Sequence, residues 1–183
     1  MNNSLRGRDY LNIHDLSSED FRYLIDLAWN LKAQKKSGVD QRYFPGKNVL
    51  ANFEWGSTRT RCAFETSCND LGMGFTYLTN SHMGDCETIE DAMRVFNGMY
   101  DLIVYRAQKD EQFLYDVADL VDIPVINALT LGDHRPRCSL TLSRWRSSGV
   151  VCARAVARRW PSLATAPAPP CGMAVCARCS TWT

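Results

Sequence analysis

Four short apolar runs alternate with segments of helical spacing, and this alternation restricts the fold more than any other feature of the chain. The runs are 48–53, 74–78, 101–105 and 123–127. Each has the length of a buried strand and is bounded by glycine, proline or polar residues. Pro124 belongs at the beginning of the last run, because proline cannot donate to a sheet ladder. A helix from about Thr58 to Leu71 follows the first run. Another is expected near Glu87–Asn97, with Ile89, Ala92, Met93 and Phe96 on one face and Gly98 closing it. A third, near Glu111–Val121, presents Leu114, Val117, Ala118 and Val121. Ahead of all these, Ser17 and Asp20 fit a capping box for a helix carrying Phe21, Leu24, Ile25, Ala28 and Leu31, with Gly38 placed to end it. Strand and helix in this succession predict an α/β fold: a parallel sheet of about four strands flanked by helices.

In such sheets ligands gather at the carboxyl ends of the strands. The first run leads there into Gly56-Ser57-Thr58-Arg59-Thr60-Arg61. Glycine breaks the strand, and Ser57 or Thr58 stands where a helix N-cap is wanted. The unpaired N–H groups of the first helical turn, two hydroxyl residues and two arginines all offer donors in one direction. That construction suits a phosphate or a similar dianion. The bland reading is an ordinary capped surface helix with solvated arginines. Arg106 and His134 also lie just past expected strand ends, so three loops are expected to converge on one anion.

Composition changes abruptly near His134. Eight of the 21 Lys and Arg follow it, all as Arg, whereas all 20 Asp and Glu precede it; the net charge of +1 therefore divides into −7 for residues 1–134 and +8 for 135–183. Five of the eight cysteines also fall after it. No run approaches the roughly 18 apolar residues of a membrane span, and no signal peptide opens the chain. A cytoplasmic location and no membrane partner are expected.

Several spaced motifs, in order, resemble the aspartate/ornithine carbamoyltransferase family, and its ornithine branch most closely. They are Ser57-Thr58-Arg59-Thr60-Arg61 followed by Cys62-Ala63-Phe64-Glu65, then Met99 to Arg106, then Pro124-Val125-Ile126-Asn127-Ala128-Leu129-Thr130 leading to His134. The likeness runs from about Leu5 to His134. It implies that residues 1–134 form a carbamoyl phosphate-binding domain, usually trimeric in the family. Ser57, Thr58, Arg59 and Thr60 would hold the phosphate, Arg106 would contact phosphate and carbamoyl oxygen, and His134 would donate to that oxygen. Arg106 and His134 are thus the catalytic candidates. The implied reaction moves the carbamoyl group to the δ-amino group of ornithine, giving citrulline and phosphate, with no metal or organic cofactor. His82 stands where a glutamine of a neighbouring subunit usually reaches the phosphate; the bland reading is a solvated loop histidine. Trp55-Gly56 replaces a usual Lys-Thr, and Ala107 a usual Gly.

After His134 the likeness stops. The family continues His-Pro-Thr-Gln, then a hydrophobic residue and Leu-Ala-Asp, whereas this chain reads Arg135-Pro136-Arg137-Cys138-Ser139-Leu140. One permitted coding of His134 to Leu142 is CAC CGA CCC AGA TGC TCG CTG ACG CTG. A single C restored after CAC turns it into His-Pro-Thr-Gln-Met-Leu-Ala-Asp-Ala. Residues 135–183 therefore read as an out-of-frame tail with no domain of its own, and the chain as a half-site without turnover. Three other readings of the tail carry less. Its arginines and three tryptophans suit nucleic-acid binding. Cys171, Cys176 and Cys179 lack a fourth ligand at a recognised metal spacing. The Ala- and Pro-rich stretch 161–170 has the composition of a linker. Two functional alternatives stand beside the ornithine enzyme: a carbamoyltransferase for another amine such as putrescine or aspartate, and a non-catalytic phosphate- or nucleic-acid-binding protein using the basic tail.

Overall fold

The computed structural model describes residue 5 and residues 8–131. Its centre is a sheet of four parallel strands, β1 (Asn48–Phe53), β2 (Gly74–Leu78), β3 (Leu102–Arg106) and β4 (Val125–Leu129), in the order β2-β1-β3-β4. Four helices join or precede them: α1 (Ser18–Lys36), α2 (Thr58–Leu71), α3 (Ile89–Met99) and α4 (Glu111–Asp119). The expected α/β architecture is the observed one. From β1 the chain goes to one neighbour, β2, and later returns to the other side of β1 with β3. Strand order therefore reverses at the β1–β3 pair, and in open parallel sheets that reversal opens a crevice at the carboxyl ends.

Side chains alternate across the sheet, as the pleat requires. Val49, Ala51, Phe53, Leu102, Val104, Ile126 and Ala128 pack on one face against Ala28 and Leu31 of α1 and Phe64, Cys68 and Leu71 of α2. Leu50, Ile103, Tyr105 and Val125 pack on the other against Met93 of α3 and Leu114 and Val117 of α4. Both faces of β1, β3 and β4 are covered, so these strands are mostly apolar rather than alternating, whereas β2 at the edge has no fully buried residue. Phe64 is completely enclosed in the first of these layers. Phe64→Ala is expected to lower unfolding stability by about 3–5 kcal/mol, the usual cost of emptying a large aromatic site. Urea unfolding monitored by circular dichroism would measure it; a loss under about 1 kcal/mol would contradict this packing.

The helix starts follow local rules. Ser17 caps α1 with a full capping box with Asp20, and Lys36, Ser37 and left-handed Gly38 end it. Gly72, also left-handed at φ +79°, ends α2, and a Cβ there would lie 3.2 Å from the Cβ of Arg42. The other helix ends depart from expectation. Helix α3 runs through Gly98 and stops at Tyr100, because Asp101 already donates its N–H to the Asn48 carbonyl of β1. Thr88 sets its start, two residues later than expected. Helix α4 ends at Asp119, two residues before Val121.

Strand β4 starts later than expected, at Val125, and extends to Leu129, which pairs with Arg106 after a register shift. Its outer edge is covered by an N-terminal segment that periodicity does not reveal. Tyr10 donates its N–H to the Val125 carbonyl and accepts from Asn127 N–H, while the Asp9 carboxylate accepts from Val125 N–H. Such covering blunts a strand edge that would otherwise recruit another chain. Among the described residues no helix is long and apolar enough to cross a membrane.

Candidate functional site

Helix α2 begins unlike the other three. Ser17, Thr88 and Asp110 accept the backbone N–H of Asp20, Asp91 and Phe113 at 3.1, 3.1 and 3.2 Å, and acidic residues occupy each first turn. Ser57, the N-cap of α2, is extended (φ −149°, ψ 117°), and its side chain makes no cap hydrogen bond. The first turn of α2 contains no acid; it carries Arg59 and Arg61 instead. Both the orphan N–H groups and the positive end of the dipole are thus left for something other than the helix itself. Ser57 and Thr60 are partly exposed, and Thr58 and Arg59 are exposed.

Arg106 stands at the same edge of the sheet. It ends β3, in register with Phe53, the last residue of β1, and its carbonyl accepts from Glu54 N–H at 3.0 Å. The guanidinium lies 4.7 Å from the ring centre of Trp55 and 6.0 Å from that of Phe53. Its Nε is buried without a hydrogen-bond partner. Burial lowers the Arg106 pKa from its ordinary value, and the nearby Tyr77 partly offsets this. Among the described residues neither Arg59 nor Arg106 takes part in an ion pair. Arg106 thus stands without an ion pair at the end of β3, and Arg59 without one in the first turn of α2.

An aromatic row ties these loops together. Arg61 lies 4.2 Å from the ring centre of Tyr77, and Tyr77 meets Phe53 edge to face at 5.3 Å. Phe53 and Trp55 then flank Arg106, so arginines from α2 and β3 rest on one apolar shelf. Glu54 ties the two strand exits to each other. It accepts from the Tyr105 hydroxyl at 3.1 Å and from Gln108 N–H at 2.5 Å, joining the exits of β1 and β3. Burial, then the Glu54 charge and hydrogen bond, hold the Tyr105 hydroxyl well above its ordinary pKa, so it remains a donor.

The loop after β2 rises beside this edge. His82 there is exposed, and its carbonyl accepts the N–H groups of Asp85, Cys86 and Glu87. Met83 reaches back to Asn52 of β1. The fold therefore brings Ser57–Thr60, Arg106 and the His82 loop to one end of the sheet. His134 and the whole 135–183 tail, with its basic and cysteine-bearing stretches, lie outside the described residues. Sequence reasoning missed Glu54 and Tyr77, and saw Trp55 only as an unusual residue. The position of Glu54 directly after a strand was a usable signal; the place of Tyr77 beside Arg61 depends on the strand order.

A parallel α/β domain with an uncapped helix start and an arginine without an ion pair at its strand-reversal edge has the features of a fold suited to an anion. Residues 8–140 match the model of the aspartate/ornithine carbamoyltransferase carbamoyl phosphate-binding domain, and the chain belongs to that family. It is 46% identical over 129 residues to a catabolic ornithine carbamoyltransferase of Treponema denticola, covering 69% of this chain and 38% of the relative. A catabolic ornithine carbamoyltransferase of Chromobacterium violaceum is 39% identical over 149 residues, covering 79% and 44%. Among solved structures, ornithine carbamoyltransferase from Pyrococcus furiosus superposes with a TM-score of 0.66 at 34% identity, covering 69% of this chain and 41% of that one. The chain thus spans about two fifths of the length of these relatives.

Proposed function

We propose that residues 1–134 bind carbamoyl phosphate, and that the intact enzyme transfers its carbamoyl group to the δ-amino group of ornithine, giving citrulline and phosphate. The observation that carries this reading is the uncapped, acid-free start of α2 beside the unpaired Arg106 guanidinium at the β1–β3 edge. Ser57, Thr58, Arg59 and Thr60 hold the phosphate oxygens with N–H groups, hydroxyls and charge. Arg106 bridges a phosphate oxygen and the carbamoyl oxygen through its fork of donors. His134 adds a second donor to the carbamoyl oxygen. Attack by the amine turns that carbonyl into a tetrahedral centre with charge on oxygen, and fixed donors lower the barrier most where charge develops. The electron pair of the breaking C–O bond leaves with phosphate, which the same cations hold and which takes up the proton shed by the attacking nitrogen.

The described geometry gives the bound ligand a pH signature. The dianion of a phosphate monoester takes up a proton near pH 6, and the electron-withdrawing carbamoyl group of an acyl phosphate moves that step lower. Arg106 stays charged throughout the neutral range, even with its pKa lowered by burial. Binding is therefore expected to be strong above about pH 7 and to fall as pH drops below about 6, where the ligand loses its second charge. Equilibrium dialysis of the full chain with radiolabelled carbamoyl phosphate tests both the binding and its pH dependence. Absence of binding at pH 8, or binding that strengthens toward pH 5, would overturn the assignment.

The remaining 135–183 segment reads as an out-of-frame tail, so the 183-residue chain is a half-site that binds without turning over. The family resemblance further supports assembly as a trimer through this domain, in the cytoplasm, with His82 approaching the site of an adjacent subunit. Light scattering of the purified chain decides the oligomer.

A further inference from the structure

We propose that Trp55 is a positioning residue for Arg106, holding its guanidinium toward the bound anion with the face of its indole ring. The inference rests on the carbamoyl phosphate reading above and adds a residue to it. The guanidinium carbon is 4.7 Å from the Trp55 ring centre, inside the range where a cation is attracted by the ring quadrupole. Phe53, the register partner of Arg106, lies on the same group at 6.0 Å. Arginines at half-buried positions are ordinarily oriented by a carboxylate, and the nearest acid in this loop, Glu54, is engaged elsewhere. Its two oxygens serve the Tyr105 hydroxyl and Gln108 N–H.

The choice of ring over carboxylate has a chemical consequence. A carboxylate would orient Arg106 and also neutralise it, so an arriving dianion would have to displace it. An aromatic face orients the cation while leaving its charge and its outward N–H donors available. The ring also walls one side of the group from water, and this strengthens the attraction to an anion on the other side. A lysine at this position would add a charge but would repel Arg106 and give it no fixed direction. Trp55 gives up that charge for orientation.

The test compares Trp55→Leu and Trp55→Phe in the full 183-residue chain, using dialysis with radiolabelled carbamoyl phosphate and tryptophan fluorescence. Trp55→Leu is expected to weaken binding about tenfold, and Trp55→Phe, which keeps a ring, only about twofold. In a chain whose other tryptophans, Trp29, Trp145, Trp160 and Trp182, are replaced by Phe, Trp55 alone reports, and carbamoyl phosphate is expected to change its emission. Wild-type affinity in Trp55→Leu, or binding to that single-tryptophan chain without an emission change, would overturn the role of Trp55 while the site reading stands. Should Trp55→Leu fail to fold, the emission of the single-tryptophan chain decides the matter. A wild-type chain that binds nothing would remove the site reading, and this inference with it.

Discussion

Arg106→Gln is expected to weaken carbamoyl phosphate binding by about 30- to 100-fold. Glutamine retains a hydrogen-bond donor of similar reach but removes the charge and the forked geometry. A hydrogen bond to a charged group contributes about 1.5–3 kcal/mol, and factors of ten correspond to about 1.4 kcal/mol. Arg106 makes no ion pair among the described residues, so apart from its attraction to the Trp55 ring little else is lost with its charge. Its Nε is already without a protein partner. The thermal midpoint of the variant should therefore stay near that of the wild type, and dialysis should report the loss as affinity alone. An affinity within about twofold of wild type would mean that the ligand does not touch Arg106.

Restoring one C after the His134 codon is expected to turn a chain without turnover into one that forms citrulline from carbamoyl phosphate and ornithine. The expectation follows from the sequence around the break. Arg137 stands at the third place after His134, where the family has the glutamine of His-Pro-Thr-Gln. In the coding given above, the restored frame returns that glutamine and the Leu-Ala-Asp that follows, in place of a segment with eight arginines and no acid. Assaying the restored protein with ornithine, putrescine and aspartate in parallel identifies the acceptor amine. Citrulline formation by the purified 183-residue chain would refute the half-site reading, and a coding sequence that cannot yield the family's continuation by one inserted base would refute the frame reading.

How far the sequence revealed the fold depended on the range of the signal. Strands β1 and β2 and helix α2 start and end where their residues indicate, because glycine, lysine and an apolar run mark those limits locally. Gly98 misled, because a glycine closes a helix only where the chain needs a left-handed turn, and here Tyr100 leads straight into pairing with β1. The segment around Asp9 and Tyr10 left no trace in periodicity, since its partner Val125 is 116 residues away from Asp9. The same limit applies to the site. Ser57–Arg61 is a contiguous pattern and could be read directly. Glu54 spans to Gln108, 54 residues on, and Trp55 to Arg106; only the strand order β2-β1-β3 brings those residues together.

The most direct measurement is a titration of the isotopically labelled 183-residue chain with carbamoyl phosphate, followed by nuclear magnetic resonance of its N–H groups. Carbamoyl phosphate held by the start of α2 and the end of β3 should shift the backbone amides of Thr58, Arg59 and Thr60 together with the Nε–H of Arg106, all with one dissociation constant. Shifts confined to other parts of the domain, or different dissociation constants at α2 and at Arg106, would contradict a single anion held between the two loops.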